Sequence, residues 1–291
     1  MFDRSRLRVQ PLADRVHDLD YSRILQLDDV TPQSLDKIPE LAARLVSSKA
    51  RIMFIGGHVI KAGVQRFLID MMKRGLITHL AMNGAAAIHD WEFAIAGGTS
   101  ESVVRYLRTG EFGLWEETGH MNWVINECMG EGIGERLGHY LAEISVKTDY
   151  VETSVLAAGR RLGVEVTVHL GIGQDILAEH LSYDAESMGL QSYLDFLKFT
   201  EAVEHLDGGI FLNLGSAVAG PEVFLKALAM ARNVGRVDHF ATAVFDIVDR
   251  RDYWSRPFKT ILSRAIGEGS KSYFVCGDHR DTVPSLWGCL S

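Results

Sequence analysis

Three cysteines (Cys128, Cys276 and Cys289) are too few and too scattered for a disulfide framework or a zinc-binding spacing. Their scarcity fits a reducing compartment and leaves no metal expected. Basic charge is also short. Thirty Lys and Arg stand against 38 Asp and Glu, for a net charge of −8, whereas phosphate backbones require clustered cations. The one basic cluster, Arg4, Arg6 and Arg8, is followed at once by acidic residues and predicts a solvated N-terminal arm. No apolar run approaches the roughly 20 residues of a membrane span, and the opening MFDRSRLRVQ lacks the apolar core of a signal peptide. The expectation is a soluble cytoplasmic protein without nucleic-acid or membrane partners.

Recognisable catalytic strings are missing as well. There is no P-loop, G-x-S-x-G elbow, H-E-x-x-H pair or G-x-G-x-x-G fingerprint. NTPase, serine-hydrolase and zinc-hydrolase readings fall away, and a dinucleotide site has to be argued from architecture. Prolines number only 6, and no repeat or Pro/Ser-rich linker divides the chain. This predicts an arm and one helix (Ser34–Ser47) in residues 1–48, then a single domain over residues 49–291.

What is present is a rhythm. The short apolar runs Arg51–Gly56, Ile77–Met82, Val164–Leu170, Gly209–Leu214, Val237–Phe245 and Ser272–Cys276 read as strands. Between them lie segments of helical period: Gly63–Arg74, Val151–Leu162, Tyr193–Leu206, Pro221–Ala231 and Arg256–Ile266. Strands apolar on both faces, alternating with amphipathic helices, predict an α/β fold with a doubly wound, mostly parallel sheet and helices on both faces. Residues 98–150 read as helical and break the rhythm as an insertion.

Ligands of such sheets bind beyond the carboxyl ends of the strands. Small residues gather there: Gly57-His58, Asn83-Gly84-Ala85, Gly171-Ile172-Gly173 with Asp175, Gly215-Ser216, Thr242-Ala243 and Gly277-Asp278. Corners of this kind let a backbone approach a pyrophosphate, and an acidic residue accepts ribose hydroxyls. NAD is therefore the expected cofactor, although glycine after a strand also simply makes a turn. Among the eleven histidines, His180, His89 and His120, in that order, are candidate bases, because a neutral imidazole titrates near working pH. Asp90, Glu92 and Glu222 are candidate partners for a substrate ammonium.

Laid out in order, these segments resemble the deoxyhypusine synthase family across residues 50–290. The stretch IMFIGGHVIKAGVQRFLIDMMKRGLITHLAMNGAAAIHD is similar to that family's first strand–helix–strand unit. VEVTVHLGIGQDILAEH is similar to its D-G-S-L-G-D segment, GGIFLNLGSAV to the glycine-rich strand before its catalytic lysine, and YFVCGDHRDTVP to the closing segment whose Asp faces the NAD. The resemblance implies a Rossmann-like fold, NAD, a polyamine-type substrate and a homo-oligomer, tetrameric in that family. One departure matters. Where the family carries its imine-forming lysine, this chain reads Gly220-Pro221-Glu222, and a Schiff base needs a primary amine. Lys61 and Lys226 are the nearest alternatives. A second likeness, MNGAAAIHDWEFAIAGGTS followed by ETGHMNWVINE, resembles the NAD-binding domain of LOR/SDH-type ornithine cyclodeaminases. Its matching positions are Asn83, His89, Asp90, Glu92, Gly119, His120, Asn122 and Asn126. It implies hydride transfer through an imine on an amine or amino acid. The alternatives are a catalytically dead NAD-binding sensor and an aminobutyl transferase using another nucleophile.

Overall fold

The six apolar runs become the six strands of one parallel sheet. The computed structural model describes residues 2–127, 130–144, 148–249, 255–267 and 269–290; Cys128 lies outside the described residues. The strands are β1 (Arg51–Ile55), β2 (His79–Asn83), β3 (Glu165–His169), β4 (Ile210–Leu214), β5 (Ala241–Asp246) and β6 (Ser272–Cys276). Their order across the sheet is β3-β2-β1-β4-β5-β6, every neighbouring pair parallel. This is the doubly wound Rossmann order, which reverses direction between β1 and β4.

Alternation along each strand feeds two cores. In β1, Met53 and Ile55 point to one face while Ile52 and Phe54 point to the other. The first face is covered by α1 (Ile38–Ser47), α2 (Gly57–Lys61), α3 (Gln65–Lys73), α4 (Gly84–Ala96), α8 (Val155–Leu162) and α11 (His279–Gly288). The second carries α9 (Ala185–Glu204), α10 (Ala219–Val234) and a π-helical turn at Pro257–Arg264, where an α-helix was expected. Phe224 of α10 stacks on Phe211 of β4 at 3.8 Å, anchoring that helix to the sheet.

The described residues of 98–150 contain α5 (Val103–Thr109), α6 (Glu116–Asn126) and α7 (Ile133–Glu143). They are also part of the packing. Gly134 lets α7 lie on the Val166 carbonyl of β3, and Gly138 lets it lie on Leu156 of α8.

The expectation of a solvated arm is corrected. Arg4 donates to the carbonyls of His180 (2.7 Å), Leu181 (3.0 Å) and Tyr183 (3.2 Å), and Leu19–Asp20 pair antiparallel with Gly98–Thr99. The Leu12 N–H donates to Glu117 at 2.6 Å. The arm is therefore docked on the domain through Arg4 and the backbone, while Arg4, Arg6 and Arg8 all keep solvent-exposed side chains. Among the described residues, no helix is long and apolar enough to cross a membrane.

Candidate functional site

Because the strands are parallel and in register, the corners after them share one edge. Asn83 pairs with His169, Ile55 with Leu214, and Phe245 with both Leu214 and Val275. Asn83, Gly173, Ser216 and Asp278 therefore lie along one rim of the sheet. Thr242 and Ala243 do not. They sit within β5, paired with Phe211 and Leu212 and buried, because the strand runs on to Asp246.

Much of the small-residue character at this rim serves internal close packing. A Cβ at Gly56 would overlap the Gly215 carbonyl, and one at Gly84 would overlap the Asp175 carboxyl. At Gly57 it would press on Ala85 and His89. Asn83 caps α4 by accepting from Ala86 N–H, Ser216 accepts from Gly220 N–H, and Asp278 caps α11 through Arg280 N–H. Gly171 N–H donates to Asp175 at 2.7 Å. The exceptions are Gly173, at φ 73° with open space around it, and exposed His58.

A buried, unpartnered polar side chain lies beside the β1/β4 switch. His279 follows β6, is 0% exposed, and has neither ring nitrogen hydrogen-bonded. It lies beside Gly215, where a Cβ would come 2.6 Å from its Nε2, and 5.9 Å from the His58 ring centroid. Burial pushes its pKa down to about 4, with His58 adding to the effect and Asp278 opposing it. A neutral imidazole buried with a donor and an acceptor unpaired is costly. It fits a polar ligand at the switch, as a dinucleotide would be.

Beside this point the rim opens into a cavity of about 290 Å³. Arg15, Asp18, Lys61, Glu92, Glu101 and Asp175 contribute its ionisable groups beside the His89 imidazole, while Ala85, Ile88, Val103 and Phe112 contribute its apolar wall. The Arg15 guanidinium makes a two-pronged pair with Glu92 at 2.8 Å and 2.8 Å, each side chain 1% exposed. Thr118 and Thr99 hydroxyls add bonds of 2.6 Å each to the same carboxylate. Burial alone would raise Glu92, but the Arg15 bond and charge, with His89 and Thr118, hold its carboxyl below the usual range. His89 Nδ1 lies 2.8 Å from Thr99 Oγ1. Burial pushes the His89 pKa down to about 4; Lys61, Arg15 and His58 add to this and Glu92 opposes it. Asp175 is raised by burial, against one N–H bond from Gly171. Glu101 is raised by burial, while Gly113 N–H and Trp115 Nε1–H donate to it.

The other sequence candidates lie elsewhere. His180, first in the expected order of bases, is packed on Gly119 with Nε2 2.9 Å from the Gly113 carbonyl, outside the cavity. His120 is exposed and bonds the Tyr140 hydroxyl at 3.1 Å. Asp90 is fully buried and caps α8, accepting from Ser154 Oγ, Val155 N–H and Leu156 N–H. Glu222 is partly exposed on α10 and pairs with Lys226 and Arg256. Glu92 has its oxygens taken by four donors, so a substrate ammonium finds nothing left to bind there. Arg15, Thr99 and Glu101 went unnoticed in sequence because they lie in irregular stretches or, for Thr99, in a two-residue strand too short to leave a pattern. Glu131, Glu135 and His139 bring ligand atoms within 4.8 Å of one another, but His139 Nδ1 lies 3.1 Å from Glu131 and Glu135 pairs with Lys198.

The architecture has solved counterparts. One is a LOR/SDH protein from Methanococcus maripaludis S2, described as conserved and putative, at 16% identity, 90% of this chain, 71% of that chain and a TM-score of 0.53. The fold is LOR/SDH-like. The arginine dihydrolase ArgZ, of the cyanobacterial ornithine-ammonia cycle, aligns at 16% identity over 90% of this chain and 33% of its own, TM-score 0.51. AgrE, solved in ternary complex with ornithine and NAD+, aligns at 15% identity over 90% of this chain and 34% of its own, TM-score 0.52. The chain thus spans about a third of the length of ArgZ and AgrE. No family model matches, and neither does any curated protein sequence.

None of these solved counterparts is a deoxyhypusine synthase, so that likeness gains no support from them. Local geometry agrees, since Gly220 packs so closely that any Cβ there would overlap the Asn213 side-chain oxygen, leaving no room for a lysine.

Proposed function

We propose that this chain binds a nicotinamide dinucleotide along the rim and acts on an amine or amino acid, ornithine-like in character, in the adjoining cavity. One observation carries the reading: a cavity holding a neutral histidine, a lysine and a carboxylate opens beside the switch point of a LOR/SDH-like sheet. Gly57, Gly215, Ser216, Gly277 and His279 would hold the dinucleotide, with His58 and Gly173 at its margins. When bound, the nicotinamide supplies a two-electron acceptor for a substrate carbon that bears nitrogen.

The chain's own residues do the rest. Among the described residues the Lys61 ammonium has no carboxylate partner, so its charge anchors a substrate carboxylate. Asp175, held against the first turn of α4, faces the substrate amino group. His89 removes a proton from that group to expose its lone pair. Buried Ile88, with Phe112 across the cavity, presents the apolar surface against which the imine would form.

The test is NAD reduction with a panel of ornithine, lysine, arginine and polyamines, comparing the wild type with His89→Gln. Turnover reduced by about 10²-fold or more in the variant is expected. NAD binding without turnover of any panel member would convert the reading to a non-catalytic sensor, and equal rates in both proteins would remove His89 from the chemistry. Borohydride trapping of a substrate on Lys61 would point instead to transfer through a lysine imine.

A further inference from the structure

We propose that Thr99 is a positioning residue that fixes His89 as the Nδ1-protonated tautomer by relaying the negative charge of Glu92, leaving the Nε2 lone pair to the cavity. The proposal rests on the reading of His89 as the proton acceptor, but its geometry can be checked apart from turnover.

A threonine hydroxyl has one proton to give and lone pairs to offer. Glu92 settles where that proton goes. Its Oε1 accepts from Arg15 and Thr118, its Oε2 from Arg15 and Thr99, and an ionised carboxylate can only accept. The Thr99 proton is thus committed to Glu92 at 2.6 Å, and the same oxygen must accept at its other contact, 2.8 Å from His89 Nδ1. The ring therefore carries its proton on Nδ1. The groups facing it are Glu92 on its own helix, His58 and Lys61 from α2, Arg15 from the N-terminal segment and Asp175 from the loop after β3. Burial, with the Lys61 and Arg15 charges, keeps the ring singly protonated, so the tautomer, not the charge, is the variable that Thr99 sets.

The chain spends conformational energy to hold Thr99 in place. Ser100, next to it, is a buried non-glycine residue at φ 65° that lines the cavity, a backbone conformation that side-chain-bearing residues rarely adopt. Thr99 pairs with Leu19 in the short antiparallel ladder, and Asp18 N–H donates to the Ser100 carbonyl at 3.0 Å. The N-terminal segment thus clamps the residue from one side and supplies Arg15 from the other.

The deciding measurement is nitrogen-15 NMR of the histidine rings in the full chain at neutral pH, with the His89 signals assigned by their loss in His89→Gln. An Nδ1–H tautomer is expected in the wild type and in Thr99→Ser, and a shift towards Nε2–H in Thr99→Val. In turnover assays Thr99→Val should lower kcat by about 10²-fold with little change in KM, and Thr99→Ser should recover most of it. An Nε2–H tautomer in the wild type, or an unchanged tautomer in Thr99→Val, overturns the proposal. If the valine variant does not fold, the wild-type tautomer alone decides. A protein that shows the Nδ1–H tautomer but fails to bind NAD refutes the proposed function and leaves the relay standing.

Discussion

Buried carboxylates are handled in two ways in this protein, and each has a measurable consequence. Glu92 keeps its charge through a guanidinium that is itself shielded from water, so removing either partner would leave an uncompensated ion inside. Asp195 of α9 has no such partner beside it. Its Oδ2 accepts from Val168 N–H (2.7 Å) and Gly134 N–H (2.9 Å), while Oδ1 has no hydrogen-bond partner. Burial pushes its pKa up to about 7, against those two bonds and Lys198. An acid raised on folding binds more protons in the folded than in the unfolded state between its two pKa values. Its contribution to stability is therefore full below the unfolded value and lost as pH rises from about 4 to about 7, by up to about 1.4 kcal/mol per pH unit. Asp195→Asn should remove that component, so the difference in melting temperature between variant and wild type should change across this range. A pH-independent difference would show that Asp195 is ionised throughout. Residue chemistry of this kind was only half legible in sequence. His89 and Glu92 could be singled out as titratable, but Glu92 was read as an ammonium partner because its own partner, Arg15, lies 77 positions away.

At the scale of elements, the strands and the α3 periodicity were legible because burial on both faces leaves near-continuous apolar runs. Helix α4 was not. Its first residues, Gly84 to Ala87, follow Asn83 like a turn, and it is buried nearly all round, so it lacks a polar face to announce it. Helix α9 begins eight residues earlier than its apolar pattern suggests, since Asp184 caps it by accepting from Glu186 and Ser187 N–H. The α4 start also packs directly on Asp175, a side chain that lines the cavity. Gly84→Ala would drive a methyl group into the Asp175 carboxyl. Overpacking of this sort costs roughly 1–3 kcal/mol, and here the side chain that yields is one that lines the cavity. Substrate affinity should fall more than stability, seen as a raised KM with a modest drop in melting temperature. A variant with unchanged KM would place the substrate away from Asp175.

At the scale of the whole molecule, what the sequence offered was the alternation of strand and helix, which specifies a parallel sheet but not the order of its strands. The order β3-β2-β1-β4-β5-β6 appears only in three dimensions, and with it the switch between β1 and β4 where His279 is left without partners. That arrangement, more than the glycines, supports a dinucleotide site, because most of those glycines are explained by the chain packing on itself. The most direct measurement is thermal unfolding of the full chain titrated with NAD+, NADH, NADP+ and NADPH. A ligand bound only by the folded state adds about 2.7 kcal/mol at 100 times its dissociation constant, so at least one of the four should raise the melting temperature in a saturable manner. No rise with any of the four would contradict the account.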